Sequence, residues 1–208
     1  EAVERFLREA RAAARLKSDH VAKIYDVGRL ETGSPYIVIE LLDGVDLKTV
    51  LEREPMLSPQ RAARYVMQAC DAVGEAHTLG IVHRDLKPAN LFLTTGPRGE
   101  ERVKVLDFGI AKMADPAGGV EMTRTTAILG TPLYMSPEQM RAARNADARS
   151  DVWALGVVLY RMLTGKVPFL GSTITEVCSA VISDIPDPPR AVRPDLPPGL
   201  EAVILRCL

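Results

Sequence analysis

The run from Asp151 to Leu163 limits what this chain can become more than any other stretch. Asp151-Val152-Trp153-Ala154-Leu155-Gly156 opens it, and the residues that follow to Leu163 are apolar on almost every side of a helix. A helix without a polar stripe has to be enclosed by other elements of its own fold. Thr164-Gly165 ends it, with glycine where a chain commonly leaves a helix in the left-handed conformation. The rest of the chain must supply the enclosure. With 208 residues, 47% hydrophobic and 25% charged, it has the material for a core, and global disorder is not expected. No apolar run approaches the roughly 18 residues of a membrane-spanning helix.

Periodicity places the other elements. Val3, Phe6, Leu7, Ala10, Ala13 and Ala14 lie at helical spacing within residues 1–16, with Glu9 in the middle. Val21–Val27 and Tyr36–Leu42 read as strands joined into a hairpin through Gly33-Ser34-Pro35. Ser58-Pro59 starts a helix with a capping hydroxyl and a first-turn proline. Ala62, Val66, Ala69, Cys70, Val73 and Ala76 continue its apolar face, and Gly80 stops it. Leu91–Thr94 and Val103–Leu106 read as strands on either side of a turn at Thr95–Glu100. The segment between Asp107 and Glu138 is polar and lacks periodicity, and loops of that length are usually functional or disordered. Residues 173–183 read as a helix, the proline-rich 186–198 as an extended surface loop, and Gly199–Leu208 as the start of a last helix.

Bulk properties narrow the setting. Lys plus Arg number 26 and Asp plus Glu 27, which gives no bias toward nucleic acid or membrane. Cys70, Cys178 and Cys207 are far apart, odd in number and without metal spacing. They read as small buried hydrophobes in a reducing compartment, so a cytoplasmic location is expected for this segment. The chain starts at Glu1 and stops at Leu208 inside helical patterns. A piece of a longer protein is expected, and a membrane anchor outside the segment stays open.

The chemistry gathers in two short stretches. His83-Arg84-Asp85-Leu86-Lys87-Pro88-Ala89-Asn90 lies between a short expected strand, Ile81-Val82, and the apolar run Leu91-Phe92-Leu93. Asp107-Phe108-Gly109 follows Val103, Val105 and Leu106. Two carboxylates and an amide at strand ends suit Mg²⁺ and a phosphate, because Mg²⁺ takes oxygen ligands, usually one or two carboxylates plus substrate phosphates. The Asn90 amide oxygen and the Asp107 carboxylate fit that need, and Asp85 remains to accept a proton. Taken alone, a loop of Asp, Lys and Asn is more often a turn than a site. His83 and Phe108 read as packing residues.

His83–Asn90 followed by Asp107-Phe108-Gly109 resembles the catalytic loop and metal-binding motif of eukaryotic-type serine/threonine protein kinases. Gly130-Thr131-Pro132-Leu133-Tyr134-Met135-Ser136-Pro137-Glu138 is similar to the end of that family's activation segment, with Ser136 where alanine is usual. Asp151–Leu163 resembles its central helix, Val167-Pro168-Phe169 its P-F motif, and Phe6–Leu16 its αC helix. Met122-Thr123-Arg124-Thr125, Ser136–Gln139 and Asp147–Asp151 resemble bacterial members. The motifs stand in the family's order.

The resemblance implies an α+β, protein-kinase-like fold. Residues 43–208 would form a mostly helical C-lobe without its C-terminal end. Residues 1–42 would form a truncated N-lobe of the αC helix, two strands and the start of the hinge. It implies transfer of the ATP γ-phosphate to serine or threonine hydroxyls of protein substrates, with ATP and Mg²⁺ as cofactors, no nucleic-acid partner, and dimerisation left unread. Asp85 would take the hydroxyl proton, and Lys87 would place an ammonium by the transferred group. Asn90 and Asp107 would hold Mg²⁺, and Thr131 would bridge Asp85 and Lys87. The nucleotide would meet Ile39 at the gatekeeper position, backbone of Glu40 and Leu42 at the hinge, Asp46 at the ribose, and Phe92. Glu9 would pair with a lysine outside this sequence. Asp46 also reads as an ordinary helix N-cap. Arg84 would pair with a phosphorylated Thr123, Thr125 or Thr126.

The family's Gly-rich loop and ATP-binding lysine are not in this sequence, and its arginine partner for Glu138 is expected beyond Leu208, Arg206 being too early. The isolated chain is therefore expected to bind ATP weakly and to transfer phosphate slowly or not at all. A non-catalytic kinase-like binding module is the main alternative, opposed by the intact Asp85, Lys87, Asn90 and Asp107. A small-molecule phosphotransferase is opposed by the Gly130–Glu138 segment.

Overall fold

A computed structural model describes residues 2–108, 132–142 and 146–208. The N-terminal pattern forms helix α1 (Ala2–Ala13), which buries Leu7, Ala10 and Ala13. It ends earlier than periodicity suggests, because Arg15 and Leu16 donate to carbonyls three residues back and tighten the exit. Glu75 then takes the N–H groups of Lys17 and Ser18 at 2.8 and 2.7 Å. Strands β1 (Ile24–Arg29) and β2 (Pro35–Ile39) form the expected antiparallel hairpin, with Gly28 opposite Tyr36. Both are displaced by a few residues from the apolar runs, so residues 40–43 are irregular chain rather than strand.

A second sheet carries the chemistry-bearing stretches. Its order is β3 (Gly44–Asp46), β4 (Leu91–Thr95), β5 (Glu101–Val105), all antiparallel. Strand β3 is too short to show a pattern in sequence. Gly44 has φ +149°, and a side chain there would run into the carbonyl oxygen of Leu93. Leu91 and Leu93 enter the core while Phe92 and Thr94 alternate to the other face. Helix α2 (Leu47–Arg53) starts at once after β3. Asp46 caps it, accepting from Thr49 N at 2.8 Å and Thr49 Oγ1 at 3.2 Å.

Helix α3 (Pro59–Thr78) begins as expected, with Ser58 Oγ accepting from Arg61 N. It buries Ala62, Tyr65, Ala69, Ala72, Val73 and Ala76. Cys70 sits roughly 100° around the helix from that stripe and is exposed, while Cys178 and Cys207 are half-buried. The expectation of three buried cysteines is thus corrected: an apolar neighbourhood in sequence does not fix which side of a helix a residue takes.

The remaining helices are α4 (Pro137–Arg141), α5 (Ala148–Thr164), α6 (Ile174–Ser183), α7 (Pro189–Val192) and α8 (Pro198–Cys207). Every residue from Trp153 to Tyr160 in α5 is buried, and Gly165 ends the helix at φ +75°. Residues 186–198 are not wholly extended, since proline in the first turn of α7 lets one short helical turn form. A main core joins α1, α3, α5 and the second sheet; a second cluster joins Trp153, Phe169 and Val177, with the Trp153 and Phe169 rings stacked at 5.6 Å. The architecture is α+β, as expected. Among the described residues no helix is long and apolar enough to cross a membrane.

Leu163 is fully buried and Leu170 is 66% exposed. Leu163→Ala is expected to cost about 2–5 kcal/mol and Leu170→Ala under about 0.5 kcal/mol, read from denaturant midpoints.

Candidate functional site

The residues singled out by motif come together where the second sheet meets the start of α5. Ile81-Val82 forms irregular chain rather than the expected strand, and a 3₁₀ turn, Pro88–Asn90, leads directly into β4. Beyond the last β4–β5 pair, Leu91 opposite Val105, Leu106 N donates to Asn90 O at 2.9 Å. Asn90 and Asp107 therefore stand one residue apart across the ladder. Within the loop, Lys87 Nζ lies 3.0 Å from Asp85 Oδ2. Asn90 Nδ2 donates to the Asp85 carbonyl at 2.8 Å and to its Oδ2 at 3.3 Å.

The backbone here is unusual. Arg84 and Asp107 are the non-glycine residues with positive φ among those described, at 64° and 49°. Such conformations cost about 1–3 kcal/mol and persist where surrounding bonds over-determine them. For Arg84 those bonds are visible. Its N–H reaches Asp151 Oδ1 at 2.8 Å, and its carbonyl accepts from Gln139 Nε2 at 2.9 Å. Asp151 Oδ2 also accepts from His83 N at 2.9 Å and from His77 Nε2 at 2.7 Å. Asp151 is 1% exposed. Sequence motifs did not mark it as a functional residue, although a signal was present: a carboxylate in the first turn of an otherwise apolar helix needs buried partners.

His83 does more than pack. Its Nδ1 accepts the Asp85 N–H at 3.2 Å, and its Nε2 meets the Leu106 carbonyl at 2.7 Å. An N–H donor on one side and a carbonyl on the other require the neutral ring with hydrogen on Nε2. Complete burial pushes the His83 pKa down in the same sense. The ring also lies against Phe108, centroids 4.9 Å apart.

The other candidates are placed as follows. Glu9 is on α1 and pairs with Arg5 at 3.3 Å. Ile39 ends β2, half exposed, and Leu42 is half-buried in the irregular chain after it. The Glu40 carboxylate receives Lys104 Nζ at 2.6 Å and Lys23 N at 2.9 Å. Lys104, itself 6% exposed, reaches Glu40 from β5, a pairing no motif announced. Asp46 is the cap of α2, and it stands opposite Phe92. Arg84 is exposed. Glu138 accepts from Ser150 Oγ at 2.6 Å. Thr123, Thr125, Thr126 and Thr131 lie outside the described residues.

Against known proteins, residues 1–200 match the family described as Protein kinase domain. The chain is 42% identical over 208 residues to "Serine/threonine-protein kinase PknB" of Mycolicibacterium smegmatis, covering 98% of this chain and 32% of that protein. It is 42% identical over 209 residues to "Serine/threonine-protein kinase pkn3" of Myxococcus xanthus, covering 99% and 38%. The Mycobacterium tuberculosis PknB is 42% identical over 207 residues, covering 98% and 32%. The chain thus spans about a third of the length of these relatives.

Asp151→Ala leaves the buried His83 N–H and the part-buried Arg84 N–H without acceptors, at about 1–3 kcal/mol for the buried one and less for the other. The expected result is a lowered denaturation midpoint and faster amide exchange at both residues. Because the folded-state pKa of His83 lies below its unfolded value of about 6.5, its contribution is complete above that pH and is lost as pH falls. The loss reaches at most about 1.4 kcal/mol per pH unit. Denaturation at pH 7.5 and 5.5 is expected to show a smaller drop for His83→Asn than for the native chain.

Proposed function

Since the chain belongs to the protein kinase domain family, we propose that the protein carrying it transfers the γ-phosphate of ATP to serine and threonine hydroxyls of protein substrates. The observation that carries this is the Asp85–Lys87–Asn90 cluster, held one ladder position from Asp107. Phosphoryl transfer asks mainly for positioning and charge neutralisation. Asp85 orients the acceptor hydroxyl and takes its proton. Lys87, already 3.0 Å from that carboxylate, sets a positive charge beside the transferred group. Asn90 commits its Nδ2 to Asp85, so its amide oxygen is the atom to offer a metal. That oxygen and the Asp107 carboxylate are hard donors, and a few such ligands with phosphates and water are what Mg²⁺ takes. When bound, Mg²⁺ neutralises charge on the phosphates.

On the nucleotide side we assign Ile39, the backbone of Glu40 and Leu42, Phe92 and Asp46. Glu40 has its side chain and N–H bonded within the chain, the latter to Lys23 O at 2.8 Å, so its carbonyl is the group for adenine. Asp46 is engaged by Thr49 but retains carboxylate lone pairs for a ribose hydroxyl. Glu9, in an i,i+4 pair of little net energy with Arg5, can exchange that partner for a lysine near ATP. Arg84 is assigned to a phosphorylated Thr123, Thr125 or Thr126, and Thr131 to the gap between Asp85 and Lys87. Residues 1–42 and 43–208 are the parts of the two lobes, and the free cysteines support a cytoplasmic setting.

The test uses the full-length protein, radiolabelled ATP and a serine- and threonine-containing protein acceptor. Asp85→Asn is expected to reduce transfer by about 10²–10⁴-fold with nucleotide binding retained. Undiminished transfer removes Asp85 from the role of base.

A further inference from the structure

We propose that Gln139 is a positioning residue for Asp85, holding the Arg84–Asp85 peptide at its carbonyl while His83 holds the same peptide at its N–H. This rests on the kinase reading above. Gln139 is the third residue of α4, and its Oε1 accepts from Ser136 N at 3.1 Å in a capping box. Its Nε2 donates to Arg84 O at 2.9 Å. The two ends of the amide cannot exchange, because the Ser136 N–H only donates and the Arg84 carbonyl only accepts.

The bond meets the peptide plane that aims Asp85. Arg84 O is on one edge of that plane. Asp85 N, on the other edge, donates to His83 Nδ1 at 3.2 Å. A peptide unit is planar and rigid, so bonds on both edges stop its rotation. Rotation of this unit would swing the Asp85 carboxylate away from Lys87 and Asn90. The preceding residue, Arg84, sits at φ 64°, a conformation with a cheaper alternative whenever its restraints are released. Gln139, Arg84 and Asp85 line one small recess together with Tyr134 and Met135.

The same side chain ties Asp85 to the docking of α4. Ser136 Oγ lies 3.0 Å from Ser150 Oγ on α5, and Ser150 Oγ is 2.6 Å from Glu138. α4 is thereby seated on the helix that carries Asp151. Displacing α4 removes the Gln139 bond and frees the carbonyl edge of the peptide. The direction of the base thus depends on the seating of the segment from Pro132 into α4.

Two variants of the full-length protein separate positioning from capping. Glutamate serves a capping box as well as glutamine does but has no N–H for Arg84 O. Gln139→Glu is therefore expected to keep the melting temperature and to lower kcat by about three- to tenfold, with KM for ATP unchanged. Gln139→Met is expected to lower kcat similarly and to lower the melting temperature as well. Amide exchange at Asp85 should accelerate in both. Native kcat and native Asp85 exchange in Gln139→Glu would assign Gln139 to capping alone and overturn the proposal. So would a loss confined to Gln139→Glu and absent from Gln139→Met, which marks a charge effect. If the native protein transfers no phosphate, the kinase reading fails, and Asp85 exchange in the two variants still decides the positioning claim.

Discussion

The carboxylate of Asp151 is the interaction on which the site depends. Two oxygens, 1% exposed with the rest of the residue, take N–H groups from His83, Arg84 and His77. The three donors come from the end of α3 and from the loop that follows it. The carboxylate itself sits in the first turn of the buried α5. A charge in such a place is tolerable only with its partners present, and removing one side leaves the other unpaired and costly. The core therefore cannot close around α5 without also fixing the loop. The positive φ of Arg84 is a result of that closure, and the direction of Asp85 follows from it.

A neutral imidazole joins the halves of the site. His83 receives the N–H of Asp85 and donates to the carbonyl of Leu106, the residue before Asp107. The ladder bond from Leu106 N to Asn90 O makes a second link between the same stretches. A charged His83 ring would have no lone pair for Asp85, which agrees with the downward pKa shift that burial causes. The chain after β2 is held by a similar device. Lys104 crosses from β5 to Glu40, so residues 40–43 have a fixed anchor although they form no regular structure.

Much of this is legible in the sequence. The capping Ser58, the stop at Gly165, the hairpin turn at Gly33 and the all-apolar α5 are local patterns with local causes, and they appear where expected. The D-x-K-x-x-N spacing from Asp85 to Asn90 was equally visible. Strand ends were less legible: β1 and β2 moved against the apolar runs, and β3 is three residues long. Cys70 departs from expectation because one apolar residue in a helix can lie beside the buried stripe. Asp46 carried two readings, and only its bond to Thr49 N established the cap.

The sequence by itself determined the class of fold, the family and the residue types of the site, because periodicity, caps and motif spacing act within a few residues. The tertiary structure decided which groups hold those residues in place. Asp151 meets His83 across 68 positions, Lys104 meets Glu40 across 64, and Gln139 meets Arg84 across 55. No local pattern encodes such pairings. They arise when helices and strands pack around α5 and every buried donor must find an acceptor.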